Sequence, residues 1–101
     1  MGFVFRVKIG RKRYTVALED RTPGDRAVWI VQARLAALGL LRPPFGATGV
    51  AGDETRDAIR RFERFAGLPV TGDAHAPAMR LTLREQVRAA QAAGRLAPGV
   101  P

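Results

Sequence analysis

The stretch VQARLAALGLL, residues 31–41, sets a glutamine inside an apolar helical pattern and then stops at a glycine. Val28, Val31, Leu35 and Leu38 recur at three- and four-residue spacings, so they share one face of a helix over residues 26–38. Asp25 is placed to cap the start of that helix. Gly39 suits the left-handed residue just past its end, and Leu40 and Leu41 turn back to the core. Gln32 carries an amide that both donates and accepts. It has two open readings: a bond to the backbone of a neighbouring loop, whose polar groups would otherwise go unmatched, or contact with a ligand.

Downstream, RPPFGATGVAG over residues 42–52 holds two prolines and three glycines, which predicts a long loop. Asp53 suits the N-cap of a second helix over 54–66, with Ala58, Ile59, Phe62, Phe65 and Ala66 as its apolar side and Gly67 as its stop. LPVTG, residues 68–72, is a short extended piece ending in a turn. Pro77 fits the first turn of a third helix over 77–93, with Met79, Leu83, Val87 and Ala90 as its stripe before Gly94. Upstream, Phe3, Phe5, Val7 and Ile9 alternate with Val4, Arg6 and Lys8, and Tyr14, Val16 and Leu18 alternate in a return strand, which predicts a hairpin turning at residues 10–13. An isolated hairpin is barely stable in water, so this one is expected to pack on the helices or on a partner. The expected organisation is a hairpin and linker over residues 1–22, a three-helix unit over 23–94 and a flexible tail over 95–101. The fold class is mainly α, a three-helix core with an N-terminal β-hairpin.

At 101 residues the chain has room for one modest core. With no cysteine it has neither a disulfide framework nor a thiolate metal site. The start MGFVFRVKIGRKRY alternates apolar and basic residues instead of forming a continuous apolar core, so a cleaved export signal is not expected. No stretch reaches transmembrane length, and membrane insertion is not expected. The net charge is +8, with seven basic against three acidic side chains in residues 1–26, six against five in 27–73 and four against one in 74–101. Such a balance favours anionic partners: nucleic acid, acidic lipid surfaces, or wall polymers bearing carboxylates and phosphates.

Taken in order, VQARLAALGLL, TGVAGDET and AIRRFERFAGLPVTG resemble the small three-helix peptidoglycan-binding domain attached to bacterial and phage cell-wall hydrolases. That family's pattern runs Leu-Gln-x-x-Leu-x-x-Leu-Gly, then Asp-Gly-x-Phe-Gly-x-x-Thr, then Ala-Val-x-x-Phe-Gln, then Gly-Leu-x-x-Asp-Gly. The resemblance covers residues 27–83. Gln32, Leu35, Leu38 and Gly39 match the first helix, and Gly49, Gly52 and Thr55 the loop. Ala58, Ile59 and Phe62 match the second helix, and Gly67, Leu68 and Gly72 match its stop and the turn beyond. The departures fall on polar and loop positions: Thr48 and Thr71 stand where the family has its two loop aspartates, Ala51 replaces the loop phenylalanine, Glu63 the second-helix glutamine, and Ala78-Met79 a Thr-Trp pair.

The resemblance implies a non-catalytic module that binds peptidoglycan, or another anionic cell-wall polymer, and positions an associated protein or assembly at the bacterial wall. Its setting would be the cell envelope or a phage-like particle. The alternative is an adaptor subunit of a phage, contractile-injection or secretion assembly that keeps the fold and binds a protein partner through its hairpin. Nucleic-acid binding ranks below both, because the arginines form no base-reading motif. Candidate ligand contacts are Trp29 and Phe45, which could stack on a sugar, together with Gln32, Arg56, Arg60 and Glu63. The favoured reading of Trp29 is a partly buried anchor for the hairpin. Arg56, Arg60 and Arg64, and likewise Arg80, Arg84 and Arg88, recur every four residues as stripes able to hold carboxylates or phosphates, or simply to be solvated, with Asp57 paired to Arg61. Phe3, Phe5, Lys8, Arg11, Lys12 and Arg13 are candidates for a protein or anionic partner. No catalytic residue, metal or cofactor is expected. His75 is the single histidine and reads as an aid to the start of the third helix; Asp53 and Glu54 read as capping acids.

Overall fold

The computed structural model describes residues 24–42 and 47–101 in full and residues 3–9 and 12–18 by their backbone. The fully described residues form three helices: α1 (Arg26–Ala37), α2 (Asp53–Ala66) and α3 (Pro77–Ala92). The architecture is a mainly α, three-helix domain, and each helix touches the other two. Ahead of it, β1 (Phe3–Ile9) and β2 (Lys12–Leu18) pair antiparallel with Phe3 opposite Leu18 and Ile9 opposite Lys12. Lys12 and Arg13, expected in the turn, therefore belong to the second strand. Whether the hairpin's side chains pack on the helices lies outside the described residues.

Asp25 caps α1 as its position suggests, accepting from the backbone N–H of Ala27 at 2.7 Å through Oδ1. The start of α2 differs from expectation. Gly52 is the N-cap and makes no side-chain cap bond, while Asp53 is the first helical residue and holds Arg56 at 2.6 Å. Pro77 opens α3, where its missing N–H costs nothing because the first turn has no internal acceptor for it.

All three helices end alike. Gly39, Gly67 and Gly94 adopt left-handed φ values of 77°, 71° and 73°. The next residue then reaches back five positions: Leu40 to Leu35 O, Leu68 to Glu63 O and Arg95 to Ala90 O, each at 2.8 Å. This closure satisfies carbonyls that a helix end otherwise leaves open, and a left-handed glycine makes it without steric strain.

Between the helices lie Val28, Val31 and Leu35 of α1, Ala58, Ile59 and Phe62 of α2, and Met79 and Leu83 of α3, with Leu41 and Ala74 from the loops. These are the stripes read from spacing, with one exception. Phe65, assigned to the apolar side of α2, is 80% exposed. It lies in the last turn of α2, on the flank of the stripe centred on Ile59 and Phe62. In the tail, Gln91 Nε2 donates to Ala97 O and Val100 O at 3.0 Å, and Arg34 Nε donates to Pro101 O at 2.8 Å. Residues 95–101 are thus tied back onto α1 and α3.

Candidate functional site

Two buried side chains shape the loops at one end of the helices. Gln32 is 1% exposed; its Oε1 accepts from the backbone N–H groups of Thr48 at 2.8 Å and Gly49 at 2.9 Å. Its Nε2 donates to Val50 O at 2.9 Å and to Thr55 Oγ1 at 3.0 Å. Glu63 on α2 treats the second loop in the same way. It too is 1% exposed, and its Oε1 accepts from the N–H groups of Thr71 at 2.9 Å and Gly72 at 2.8 Å. Its Oε2 accepts the Thr71 hydroxyl at 2.7 Å.

In both loops the threonine Oγ1 accepts the N–H two residues on, from Val50 at 3.2 Å and from Asp73 at 3.0 Å. Residues 48–50 and 71–73 are therefore two copies of one device, a Thr-Gly turn whose consecutive N–H groups are held by one acceptor on a helix. Gly49 and Gly72 carry left-handed φ values of 82° and 67°.

Gly49 also lies against the start of α1. A Cβ there would stand 2.8 Å from Gly24 Cα, whereas one at Gly39 would meet nothing within 4 Å. Both positions have positive φ, so alanine at Gly39 carries backbone strain of about 1 kcal/mol and at Gly49 the same strain plus a backbone clash, about 2 kcal/mol in all. Urea unfolding of Gly39→Ala and Gly49→Ala is expected to show that order; equal losses would mean that the approach to Gly24 relaxes freely.

Asp25 joins both loops to α1. Its Oδ1 caps the helix, its N–H donates to Gly49 O at 2.9 Å, and its Oδ2 lies 2.8 Å from His75 Nε2. His75 thus meets the cap of α1, where an aid to the start of α3 was expected. The arginines of α2 work locally as well. Arg56 donates to Ala51 O at 3.0 Å as well as holding Asp53, and Arg60 pairs with Asp57 at 2.8 Å while its side chain lies over Gly72. The expected Asp57–Arg61 pair is replaced by Asp57–Arg60, and Arg61 donates instead to Leu40 O at 3.2 Å.

Of the residues expected to touch a ligand, Gln32 and Glu63 are each buried and spend their polar atoms on the loops. Arg56 and Arg60 remain partly exposed but carry an internal acid. Trp29 is half-buried on α1, one position round from the stripe. Phe45 and Arg11 lie outside the described residues, as do the side chains of Phe3, Phe5, Lys8, Lys12 and Arg13. Phe65, an exposed aromatic near Arg61 and Arg64, is the surface residue that spacing concealed. Among the described residues no three of His, Asp and Glu gather as a metal site, and no helix is long and apolar enough to cross a membrane.

Residues 25–75 match the family described as "Putative peptidoglycan binding domain". The chain belongs to the peptidoglycan-binding domain family. The matched span opens at Asp25 and closes at His75, the two residues that meet across the loop end, and it contains both clamped turns. No curated protein and no solved structure matches the chain. Where this peptidoglycan-binding domain departs from the family pattern at Glu63 and Thr71, the substitute side chains bond each other.

Proposed function

We propose that this chain is a non-catalytic module that binds peptidoglycan and holds an associated protein or assembly at the bacterial cell wall. The observation that carries this reading is the family match over residues 25–75, together with two loops that remain fully clamped despite their changed polar residues.

The contact residues we infer are Trp29, as an aromatic face for a sugar ring, and Arg56 and Arg60; Phe65 lies on the opposite side of α2 from Arg56 and offers a separate aromatic face. An aromatic ring gives a sugar a flat apolar face, and partly exposed guanidinium groups can reach stem-peptide carboxylates. In a pull-down with purified sacculi in moderate salt, wild-type protein is expected in the pellet, and Trp29→Ala is expected to weaken retention about tenfold. Folded wild-type protein left entirely in the supernatant would sink the proposal.

A second reading has one observation in its favour: Thr48 and Thr71 stand where the family carries its two loop aspartates. If those carboxylates are needed for wall binding, the chain is an adaptor that keeps the fold and engages a protein through residues 3–18. It would then co-purify with a defined partner, and Phe3→Ser with Phe5→Ser would release that partner.

A further inference from the structure

The tail shows what the far ends of α1 and α3 can hold. The starts of these two helices meet through Asp25 and His75, whereas Arg34 lies in the last turn of α1 and Gln91 in the last turn of α3. Both side chains are half-buried, and both donate to the backbone of residues 97–101. Gln91 uses one amide nitrogen for two carbonyls, those of Ala97 and Val100, each at 3.0 Å. Carbonyls three residues apart stand about 10 Å from each other in an extended chain, so one nitrogen reaches both only where the chain turns. Ala97, Pro98, Gly99 and Val100 make that turn, closed by the Val100 N–H on Ala97 O at 3.5 Å, and Gly99 does not take the left-handed φ of a type II turn.

The held segment has a chemistry of its own. Leu-Ala-Pro-Gly-Val-Pro, residues 96–101, carries no charged side chain, and its two prolines have no N–H, so carbonyls are its main polar handles. Leu96 and Val100 are half-buried while Ala97, Pro98, Gly99 and Pro101 are exposed, so two apolar side chains anchor a turn whose tip faces solvent. Three side-chain bonds and two half-buried residues are a small hold, and releasing them is a local opening that leaves the three-helix core in place. Because the polar contacts run through the backbone, any segment with the same turn and apolar neighbours offers the same groups. We propose that Gln91, Arg34 and the surface between them form a receptor for an uncharged Pro-Gly turn, filled in cis by residues 96–101 and open to such a turn on the associated protein when the tail is displaced. This rests on the reading that the module carries an associated protein, and it names where and through what chemistry that protein is held.

The test titrates the synthetic peptide Leu-Ala-Pro-Gly-Val-Pro into the full chain. Wild type is expected to bind it weakly, because its own tail competes at high effective concentration. Gly99→Pro changes an exposed residue but disfavours the turn, since a proline there forces the residue before it out of the helical region. It is expected to unseat the tail and tighten peptide binding about tenfold. Leu96→Gly with Val100→Gly removes the two anchors and should act the same way. In either background Gln91→Ala, a substitution that keeps α3 helical, is expected to weaken peptide binding about thirtyfold through the loss of two bonds. Circular dichroism checks that each variant is folded. Folded tail variants that bind no tighter than wild type, or that ignore Gln91→Ala, would overturn the receptor. Equal binding of a scrambled peptide without the Pro-Gly step would also overturn it, reducing the effect to apolar adhesion. Sacculus retention of the same variants needs no peptide and separates the two readings: retention kept without peptide binding removes the receptor alone, while peptide binding without retention counts against the wall-binding reading and leaves the receptor standing.

Discussion

Gln32→Met is expected to lower the unfolding free energy by about 3 kcal/mol, although methionine nearly matches glutamine in volume. The substitution removes four bonds of 2.8–3.0 Å between α1 and the segment 48–55. Thr48 and Val50 are exposed, so water replaces part of what they lose. Gly49 and Thr55 are buried, and their groups stay unmatched. Two orphaned polar groups at about 1–3 kcal/mol each give the estimate. Small domains have about 5–15 kcal/mol in total, and each kcal/mol shifts the midpoint of a domain this size by about 4–8 °C, so the melting temperature should fall by roughly 12–24 °C. Thermal and urea denaturation would check it. A loss below about 1 kcal/mol would show that the first loop holds its shape without the clamp. Any folded Gln32→Met is expected to bind sacculi like wild type, because Gln32 is 1% exposed and its amide is taken up by the loop.

That clamp was half legible from sequence. A polar residue in an apolar helical face has to find a partner inside the protein or at a ligand, and the glycine-rich segment after α1 offered unmatched backbone groups. Spacing alone left both readings open; at 1% exposure the amide is found bonding the loop. The three helices were legible for a firmer reason, since their apolar stripes and terminal glycines report the same boundaries independently. The misplacements occur where two local solutions differ little in energy. An aspartate near a helix start satisfies backbone N–H groups from the N-cap and favours the dipole from the first turn, so Asp53 fits either position. Asp57 has arginines at both three and four residues, and both spacings bring side chains together. Phe65 shows a deeper limit: periodicity gives the direction a side chain points, not whether anything in the last turn covers it.

Glu63 was the least legible residue, because its role depends on a partner eight positions away. Alone it read as a lost glutamine beside a lost aspartate. Together they form a pair: the Thr71 hydroxyl donates to Glu63 Oε2, which an aspartate at residue 71 could not do as a carboxylate. Thr71→Asp by itself is therefore expected to destabilise the domain by about 2–4 kcal/mol. It sets a second negative charge within about 4 Å of a buried one and removes the bond Glu63 had. Glu63→Gln alone is expected to cost about 1 kcal/mol, because its Oε1 keeps the two N–H groups of Thr71 and Gly72. The double variant, Glu63→Gln with Thr71→Asp, places a glutamine and an aspartate where the family has them, and the amide can donate to the new carboxylate. It should recover at least half of the loss seen in Thr71→Asp, giving a favourable coupling of about 1–3 kcal/mol in a double-mutant cycle. Additive losses would break the pairing argument and leave the two departures as independent drift. A recovered fold with stronger sacculus retention would instead show that the loop carboxylate serves the ligand as well as the turn.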